Sequence, residues 1–182
     1  MDKKNTTKKQ KIKKEILSWI WIIAAVIILR MFFIQAFQIP STSMVPTLKV
    51  GDRLLANKII YKIRKPERGE VIIFKYPKNP SIDFVKRLIG LPGETVFINN
   101  GNVYINGKKL TKPHSITKRY YYSIGKYGVD KPFLIPPKSY FVLGDNSFVS
   151  KDSRFFGVVP EKDLIAKAWF IYWPPWRMGV IH

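Results

Sequence analysis

Two short runs of this 182-residue sequence carry side chains suited to nucleophilic chemistry. Residues 39–47 read Ile-Pro-Ser-Thr-Ser-Met-Val-Pro-Thr, so small hydroxyl residues lie in a turn that two prolines stiffen. Residues 83–94 read Asp-Phe-Val-Lys-Arg-Leu-Ile-Gly-Leu-Pro-Gly-Glu, and strand alternation places Lys86 on one face between Phe84 and Leu88. A lysine between two large apolar side chains loses water, which disfavours its charged form.

A hydroxyl nucleophile needs a general base, and the sequence limits the choice. His114 lies in an irregular stretch and His182 is the last residue, so a serine–histidine–aspartate arrangement is disfavoured. A lysine base must be neutral near pH 7, which requires its pKa to fall by about three units, or roughly 4 kcal/mol. Burial can supply that energy, and Lys86 has the most suitable neighbours. Taken alone, the two runs also fit a Ser/Thr-rich linker and an edge-strand lysine that discourages aggregation.

Composition excludes several other kinds of chemistry. The absence of cysteine rules out thiolate catalysis, and two histidines without ligand spacing predict no metal site. The net charge is +20, but the sequence shows no arginine-rich helix, zinc finger or helix-turn-helix pattern, so no nucleic-acid partner is predicted. A positive charge spread along the chain fits a domain held against anionic lipid or wall polymer.

An apolar stretch over residues 16–36 is predicted to anchor the chain in a membrane. At about 1.5 Å per residue, its 21 residues span roughly the 30 Å hydrocarbon core. The lysine-rich residues 1–15 precede it, which predicts a cytoplasmic N-terminus and an extracytoplasmic remainder. The alternative is a cleaved secretory signal, but Arg30, Phe32 and Phe33 occupy the place where small residues precede a cleavage site.

After Pro40 the sequence reads as short strands separated by turn residues, which predicts a mainly β domain with a coiled-sheet or barrel-like core. The predicted strands are Arg53–Asn57, Glu70–Tyr76, Asp83–Ile89, Glu94–Asn99, Asn102–Ile105, Ser139–Leu143 and Ala166–Trp173. Asn-Gly pairs at 100–101 and 106–107 predict hairpin turns. Residues 108–137 lack alternation and are predicted to form a small inserted β or irregular cap, which leaves 37–107 and 138–182 as the catalytic β domain.

With these two runs and several others, the chain resembles the bacterial type I signal peptidases, which remove signal peptides from exported proteins. The matching segments, in order, are residues 39–48, Gly51-Asp52, residues 69–77, residues 86–94, Gly144-Asp145-Asn146, Asp152-Ser153-Arg154, Phe156-Gly157 and the C-terminal aromatic stretch. Small size and the short insertion resemble the Gram-positive members of the family. The resemblance covers nearly the whole chain.

The resemblance implies a serine–lysine dyad without a cofactor. Ser43 would be the nucleophile and Lys86 its general base, and the Ser41 hydroxyl would form an oxyanion hole with the Ser43 N–H. Ser150 would help to orient the lysine amine. The polar support would come from Asp145, Asp152 and Arg154. For the last two, the alternative is a salt-bridged turn without direct chemistry.

The resemblance also implies shallow apolar pockets for small substrate side chains at −1 and −3, in a domain lying beside the bilayer. The residues aligned with these pockets are Phe37, Ile39, Met44, Leu48, Leu54, Ile73, Asp83, Phe84 and Val85. Signal peptides and the lipid bilayer are therefore the expected partners, and the sequence gives no oligomeric state. The alternative is a degenerate, non-enzymatic, membrane-tethered β domain that binds polyanions.

One segment departs from the family pattern. Ser147-Phe148-Val149 stands where the family usually has Arg-Asp-Asn, between Gly144-Asp145-Asn146 and Ser150. The flanking residues and the spacing are kept, so the turn is expected to form. The charged support of the loop is what this departure removes.

Overall fold

The computed structural model describes residues 13–24, 26 and 34–182. Residues 13–24 form helix α1, on which Trp19 and Trp21 are 65% and 71% exposed. Within these described ranges, no helix has both the length and the apolar character needed to cross a bilayer. Much of the predicted span over 16–36 lies outside the described residues, since 25 and 27–33 are not among them.

The predicted span is wrong at residues 34–36. Residues 34–36 belong to the first strand, Ile34–Gln38 (β1), because they pair with Leu55, Ala56 and Asn57 of the next strand. Their backbone N–H and C=O groups therefore lie in a sheet ladder and not in a helix. Periodicity cannot separate the end of an apolar helix from an apolar strand that follows it without a break.

Most of the regular structure in the remaining chain consists of short antiparallel strands. They are β2 (Arg53–Asn57), β3 (Val71–Tyr76), β4 (Asn79–Gly90), β5 (Thr95–Asn99), β6 (Asn102–Ile105), β7 (Lys108–Lys109), β8 (Phe133–Leu134), β9 (Ser139–Leu143), β10 (Val159–Pro160), β11 (Leu164–Trp173) and β12 (Gly179–Val180). After residue 34 the helices are single turns: α2 (Ile60–Ile63), α3 (His114–Thr117), α4 (Ser153–Phe156) and the 3-10 turns Glu161–Asp163 and Pro175–Arg177. The mainly β prediction is confirmed, and each predicted strand is present with small shifts at its ends.

Two sheets share these strands. The larger has the order β1-β2-β11-β3-β4-β9-β10, with β12 added against β11, and the smaller has the order β7-β6-β5-β8. The predicted boundary at residue 108 does not match this arrangement, because β5 and β6 pair with β7 and β8 rather than with the larger sheet. We call residues 95–134, which contain the smaller sheet, the small-sheet unit.

Both predicted hairpin turns in the small-sheet unit have the backbone conformation that their Asn-Gly pairs favour. The φ angles are 45° and 77° at Asn100 and Gly101, and 50° and 76° at Asn106 and Gly107. These two residue types accept positive φ at low cost, so the turns match the strand twist on either side. They join β5 to β6 and β6 to β7.

The C-terminal half of β4 is covered on both faces. One apolar cluster joins Leu88 of β4 to Ile72 and Tyr140, and another joins Ile89 of β4 to Ile98 of the small-sheet unit and Phe141 of β9. Because apolar groups lie on both sides, all residues from Lys86 to Gly90 are buried. The strand thus carries two cationic side chains, at positions 86 and 87, into the interior.

Candidate active site

The turn that carries Ser43 is fastened to the core at both ends. Ile39 and Asp52 close its base through the bonds Ile39 N–H to Asp52 C=O and Gly51 N–H to Ile39 C=O, each 2.9 Å. Met44 and Leu48 are 1% and 0% exposed in the core cluster. These buried neighbours fix the direction in which the Ser43 side chain leaves the turn.

Ser43 and Lys86 meet in the structure, as predicted from residues 43 positions apart. Lys86 Nζ lies 2.6 Å from Ser43 Oγ, within hydrogen-bonding distance. The amine also donates to the Val85 carbonyl at 3.1 Å and lies 5.2 Å from the centre of the Phe84 ring. Lys86 is 4% exposed and Ser43 is 8% exposed, so the pair is held in a largely dry place.

This burial changes the acidity of the lysine. Desolvation lowers the pKa of Lys86 to about 8, although the negative charges of Asp152 and Asp145 act in the opposite direction. Loss of water disfavours the ammonium form, whereas a nearby carboxylate favours it, and here desolvation has the larger effect. A substantial fraction of Lys86 is therefore neutral near neutral to mildly alkaline pH, and a neutral amine can accept the hydroxyl proton of Ser43.

Donors suited to an oxyanion lie beside the nucleophile. Ser41 Oγ is 3.3 Å from Ser43 Oγ, and the Ser41 side chain is exposed to the approach of a substrate. Among the described residues, no hydrogen-bond acceptor is recorded for the Ser43 N–H. Both groups lie where they can donate to an oxygen that becomes negatively charged during attack.

A cleft of about 270 Å³ opens beside Ser41 and Ser43. Four of the predicted substrate-contacting residues, Ile39, Met44, Phe84 and Val85, line it together with Ser41 and Ser43. The walls are mostly apolar and the floor carries the hydroxyl groups, which suits small uncharged side chains next to a reacting carbonyl.

The other five predicted substrate-contacting residues do not line this cleft. Leu48, Leu54 and Ile73 are fully buried in the core cluster beneath it, and Phe37 packs against the same cluster. Asp83 is exposed on β4, where it pairs with Lys75 of β3. The family-like motif correctly marked this region of the sheet, but strand alternation sends some of its side chains into the core.

Ser150 is not hydrogen-bonded to the lysine, contrary to expectation. Its Oγ is buried without a hydrogen-bond partner among the described residues. Ser150 instead packs against Gly144, where an added Cβ would lie 2.1 Å from Ser150 Oγ and 2.6 Å from the Ser43 carbonyl oxygen. Only glycine allows the chain after β9 to come this close to the nucleophile turn.

A buried ionic cluster supports the site from below. The Asp145 carboxylate accepts from Arg87 Nε and Nη2, both at 2.7 Å, and from Arg119 Nη2 at 2.7 Å. The side chains of Arg87 and Asp145 are fully buried. Thr47 completes the cluster through hydrogen bonds to Asp145, Arg87 and Arg119. The predicted support by Asp145 is therefore a cluster that ties β4 to the turn after β9.

Similarity to known proteins identifies the family to which this chain belongs. A family model described as Signal peptidase, peptidase S26, matches residues 12–173. The chain belongs to the signal peptidase, peptidase S26, family. It is 42% identical over 158 residues to a probable signal peptidase I-2 of Synechocystis sp., covering 84% of this chain and 69% of that protein. It is 40% identical over 177 residues to signal peptidase IB of Staphylococcus aureus (strain COL), covering 89% and 92%.

A crystal structure of a signal peptidase I from Enterococcus faecalis V583 is also similar, with 34% identity and a TM-score of 0.44. The alignment covers 57% of this chain and 97% of that one. Membership in the peptidase S26 family makes this chain a peptidase, in agreement with the resemblance of its motifs.

In this peptidase, a second buried ion pair holds the loop at residues 147–149, which is the segment that departs from the family pattern. Asp152 and Arg154 are fully buried and form a two-point ion pair at 2.9 Å, and the Asp152 carboxylate also accepts from the Gly144 N–H at 3.0 Å. Arg154 donates to Ser147 Oγ at 2.8 Å and to the Ser147 carbonyl at 2.6 Å. The expected turn forms, with a neutral serine in place of the usual charge.

The departure also changes the surface of the peptidase. Phe148 and Val149 are 71% and 52% exposed, and Val149 lines the cleft with Lys151. Sequence reasoning missed this contribution to the cleft. The signal was available, since two apolar residues at an exposed turn are unusual unless something packs on them.

Sequence reasoning also missed three members of the ionic cluster. Arg87 and Thr47 stand inside two of the family-like motifs, in residues 86–94 and 39–48, so the motifs did contain a signal for them. Arg119 lies in the stretch predicted to be an irregular cap, and nothing in its neighbourhood distinguishes it from the other basic residues there.

Replacing Asp145 with asparagine is expected to lower the free energy of unfolding by about 3–5 kcal/mol. The substitution leaves the buried guanidinium groups of Arg87 and Arg119 without their shared carboxylate. Urea unfolding of the full chain in detergent micelles, followed by tryptophan fluorescence, measures the change. Asp130→Asn is the matched control, because Asp130 is exposed and its loss should change stability by less than about 0.5 kcal/mol. Equal stability of the two variants would show that the cluster contributes nothing.

Proposed function

We propose that this chain is a membrane-bound serine endopeptidase that removes N-terminal signal peptides from exported preproteins, cutting after small residues at −3 and −1. The observation that carries the proposal is the 2.6 Å contact between Ser43 Oγ and the buried Lys86 amine, in a family of signal peptidases. The chemistry follows from that contact and from the cleft above it.

In the proposed first step, Ser43 Oγ attacks the carbonyl carbon of the scissile peptide bond while its proton passes to the neutral amine of Lys86. The carbonyl electron pair moves onto oxygen, where the Ser41 hydroxyl and the Ser43 N–H donate hydrogen bonds. Each such donor typically stabilises the transition state by about 3–4 kcal/mol. The Lys86 ammonium then gives its proton to the leaving nitrogen, and the C–N bond breaks to leave an ester on Ser43.

The second half of the reaction repeats the same proton transfers with water. Lys86, neutral again, removes a proton from a water molecule that attacks the ester carbonyl. The C–O bond to Ser43 breaks, and the lysine ammonium returns the proton to Ser43 Oγ. The signal peptide leaves with a free carboxylate. Ser150 can take part in orienting the amine if the amine turns toward its free hydroxyl.

We further propose that the apolar stretch beginning at residue 16 holds the peptidase on the membrane, with residues 1–15 in the cytoplasm and the sheets outside. The exposed apolar residues of α1 support this arrangement. The C-terminal aromatic stretch offers a second contact, since Trp173 and Trp176 are 48% and 82% exposed. Tryptophan favours the boundary between lipid and water.

A non-enzymatic domain that binds polyanions is the less favoured alternative. Such binding needs exposed cations, and it gives no reason to bury one lysine next to a serine hydroxyl. Lys86 is buried and lies against Ser43, whereas many other lysines of the chain are exposed.

The pH dependence of cleavage tests the proposal. Because only neutral Lys86 can act as a base, kcat/KM for a purified preprotein should rise about tenfold per pH unit well below pH 8 and level off above it. The full chain in detergent micelles is used, and unfolding is monitored across the same pH range to show that the enzyme stays folded. An inflection near 10.5, the ordinary value for lysine, would exclude Lys86 as a desolvated base.

A further inference from the structure

Arg119 of the small-sheet unit reaches across to the catalytic sheet. It follows helix α3, and its side chain is only 8% exposed. Its Nη2 donates to Asp145 Oδ2 at 2.7 Å and to Thr47 Oγ1. Among the described residues, these are the only hydrogen bonds recorded for this guanidinium, and its Nε has no partner there. The guanidinium of Arg119 is thus held by Asp145 and Thr47, which support the active site, and not by the small-sheet unit to which Arg119 belongs.

Both contacts of Arg119 bear on the dyad. Thr47 lies four residues after Ser43 in the same turn, so a bond to its hydroxyl braces that turn. Asp145 precedes Asn146, whose N–H donates to the Ser43 carbonyl at 3.0 Å. Asp145 also pairs with Arg87, the residue next to Lys86 on β4. The Arg119 guanidinium therefore contacts Thr47, which lies in the turn of the nucleophile, and Asp145, which is tied to the strand of the base.

The charge of Arg119 also matters, because Arg119 pairs with one of the two carboxylates that act on Lys86. The charged groups around the dyad come from several elements: Arg87 on the strand of Lys86, Asp145 after β9, Asp152 and Arg154 at α4, Lys151 at the cleft and Arg119 from the small-sheet unit. Of these groups, the two aspartates raise the pKa of Lys86. Each aspartate is itself paired with arginine, Asp145 with Arg87 and Arg119 and Asp152 with Arg154, which offsets its charge. Without Arg119, Asp145 would keep Arg87 as its one cationic partner among the described residues.

We propose that Arg119 is a positioning residue through which the small-sheet unit favours the neutral form of the base, by offsetting and orienting the carboxylate of Asp145. This inference rests on the proposed function of Ser43 and Lys86. Removal of a buried cation makes the potential at Lys86 more negative, which stabilises its ammonium form. The unit at residues 95–134 is then part of the catalytic machinery and not only a decoration of the sheet.

Arg119→Gln tests the proposal, because glutamine keeps an N–H donor and removes the charge. The pH inflection of kcat/KM is expected to move up by about half a unit, so that activity falls about threefold below pH 8 and returns to the wild-type level above about pH 9.5. Lys118→Gln is the matched control, since Lys118 is the exposed neighbouring cation. A structural brace alone would lower activity equally at every pH, and that result would overturn the proposal, as would an equal shift in Lys118→Gln.

Arg119→Lys provides the complementary variant. It keeps the charge but not the guanidinium geometry by which Nη2 contacts both Asp145 and Thr47, so the inflection should stay within about 0.2 units of the wild type. If Arg119→Gln does not fold, this variant decides the question. An inflection that moves up by half a unit although the charge is kept would contradict the electrostatic role.

A readout without substrate separates this inference from the proposed function. The free energy of unfolding of the wild type minus that of Lys86→Met should rise with pH between about 8 and 10.5, because only the unfolded lysine holds its proton there. When Arg119→Gln is added to both proteins, the pH at which this difference in unfolding free energy begins to rise should increase by the same half unit. If that pH does not change, the proposed role of Arg119 is refuted. Absence of preprotein cleavage by the wild type refutes the proposed function and leaves this measurement intact.

Discussion

Replacing Ser43 with alanine is expected to reduce kcat/KM for preprotein cleavage by about 10⁵-fold. The proposed reaction forms an ester on Ser43 Oγ, and the neighbouring Ser41 hydroxyl is exposed and has no recorded contact with the Lys86 amine. Without the nucleophile, the remaining donors can polarise a carbonyl but cannot open a covalent path. Cleavage of a preprotein with alanine at −1 and −3, incubated with the full chain in detergent micelles, measures the loss.

The control for that experiment is Ser81→Ala. Ser81 is exposed near the start of β4 and does not line the cleft, so its loss should leave cleavage within about twofold of the wild type. The fold of Ser43→Ala should persist, because the substitution removes one oxygen from a turn that buried Met44 and Leu48 hold in place. Retention of more than about 1% of wild-type activity by Ser43→Ala would rule out this serine as the nucleophile.

Replacing Lys86 with methionine is expected to abolish cleavage to a similar extent while making the protein more stable. The lowered pKa means that burial of the ammonium costs about 3 kcal/mol below pH 8. Methionine has a similar length and no charge, so this cost disappears. Loss of the hydrogen bonds to Ser43 and the Val85 carbonyl offsets about 1 kcal/mol of the gain. The net increase in the free energy of unfolding should be about 2 kcal/mol near pH 7.

The sign of this effect fixes its pH dependence. Folded and unfolded forms both hold the Lys86 proton below pH 8, so the stabilisation by Lys86→Met is complete there. It declines as pH rises toward 10.5, because the folded wild type has already lost the proton that disfavours it. Urea unfolding at several pH values measures the decline. Lys75→Met, which removes an exposed lysine from β3, should change stability by less than about 0.5 kcal/mol. A Lys86→Met protein less stable than the wild type at every pH would contradict the buried-base interpretation.

This combination of inactivity and extra stability distinguishes a functional lysine from a structural one. A lysine that served only to hold the fold together would, when replaced, reduce stability and activity in parallel. We expect Lys86 instead to destabilise the fold below pH 8, because burial disfavours its ammonium form beside Ser43. Such opposition between stability and function is common where a charged group is placed in a dry site.

Several features of this chain could be predicted because their causes are local in sequence. Short apolar runs between turn residues marked β2, β6 and β9 at their observed limits, since both signals lie within the segment itself. Asn-Gly pairs marked two turns because those residue types accept positive φ wherever they stand. The serine-containing turn and the lysine strand were likewise found from short motifs, and their family resemblance predicted that they meet.

Strand pairing, by contrast, depends on partners that a local pattern does not identify. β5 and β6 alternate like the strands of the larger sheet, and only their pairing with β7 and β8 places them in the small-sheet unit. The same limit explains the misplaced end of the predicted span, since Ile34–Ala36 become a strand through pairing with β2.

The sequence by itself determined the fold class, the family and the two side chains proposed to carry the chemistry, because these depend on residue types within short segments. Tertiary structure alone decided which groups surround that pair: the burial of Arg87, the contact of Arg119 with Asp145, and the absence of a hydrogen bond from Ser150 to the lysine. The physical reason is that desolvation and electrostatic interactions depend on distances between elements far apart in the chain.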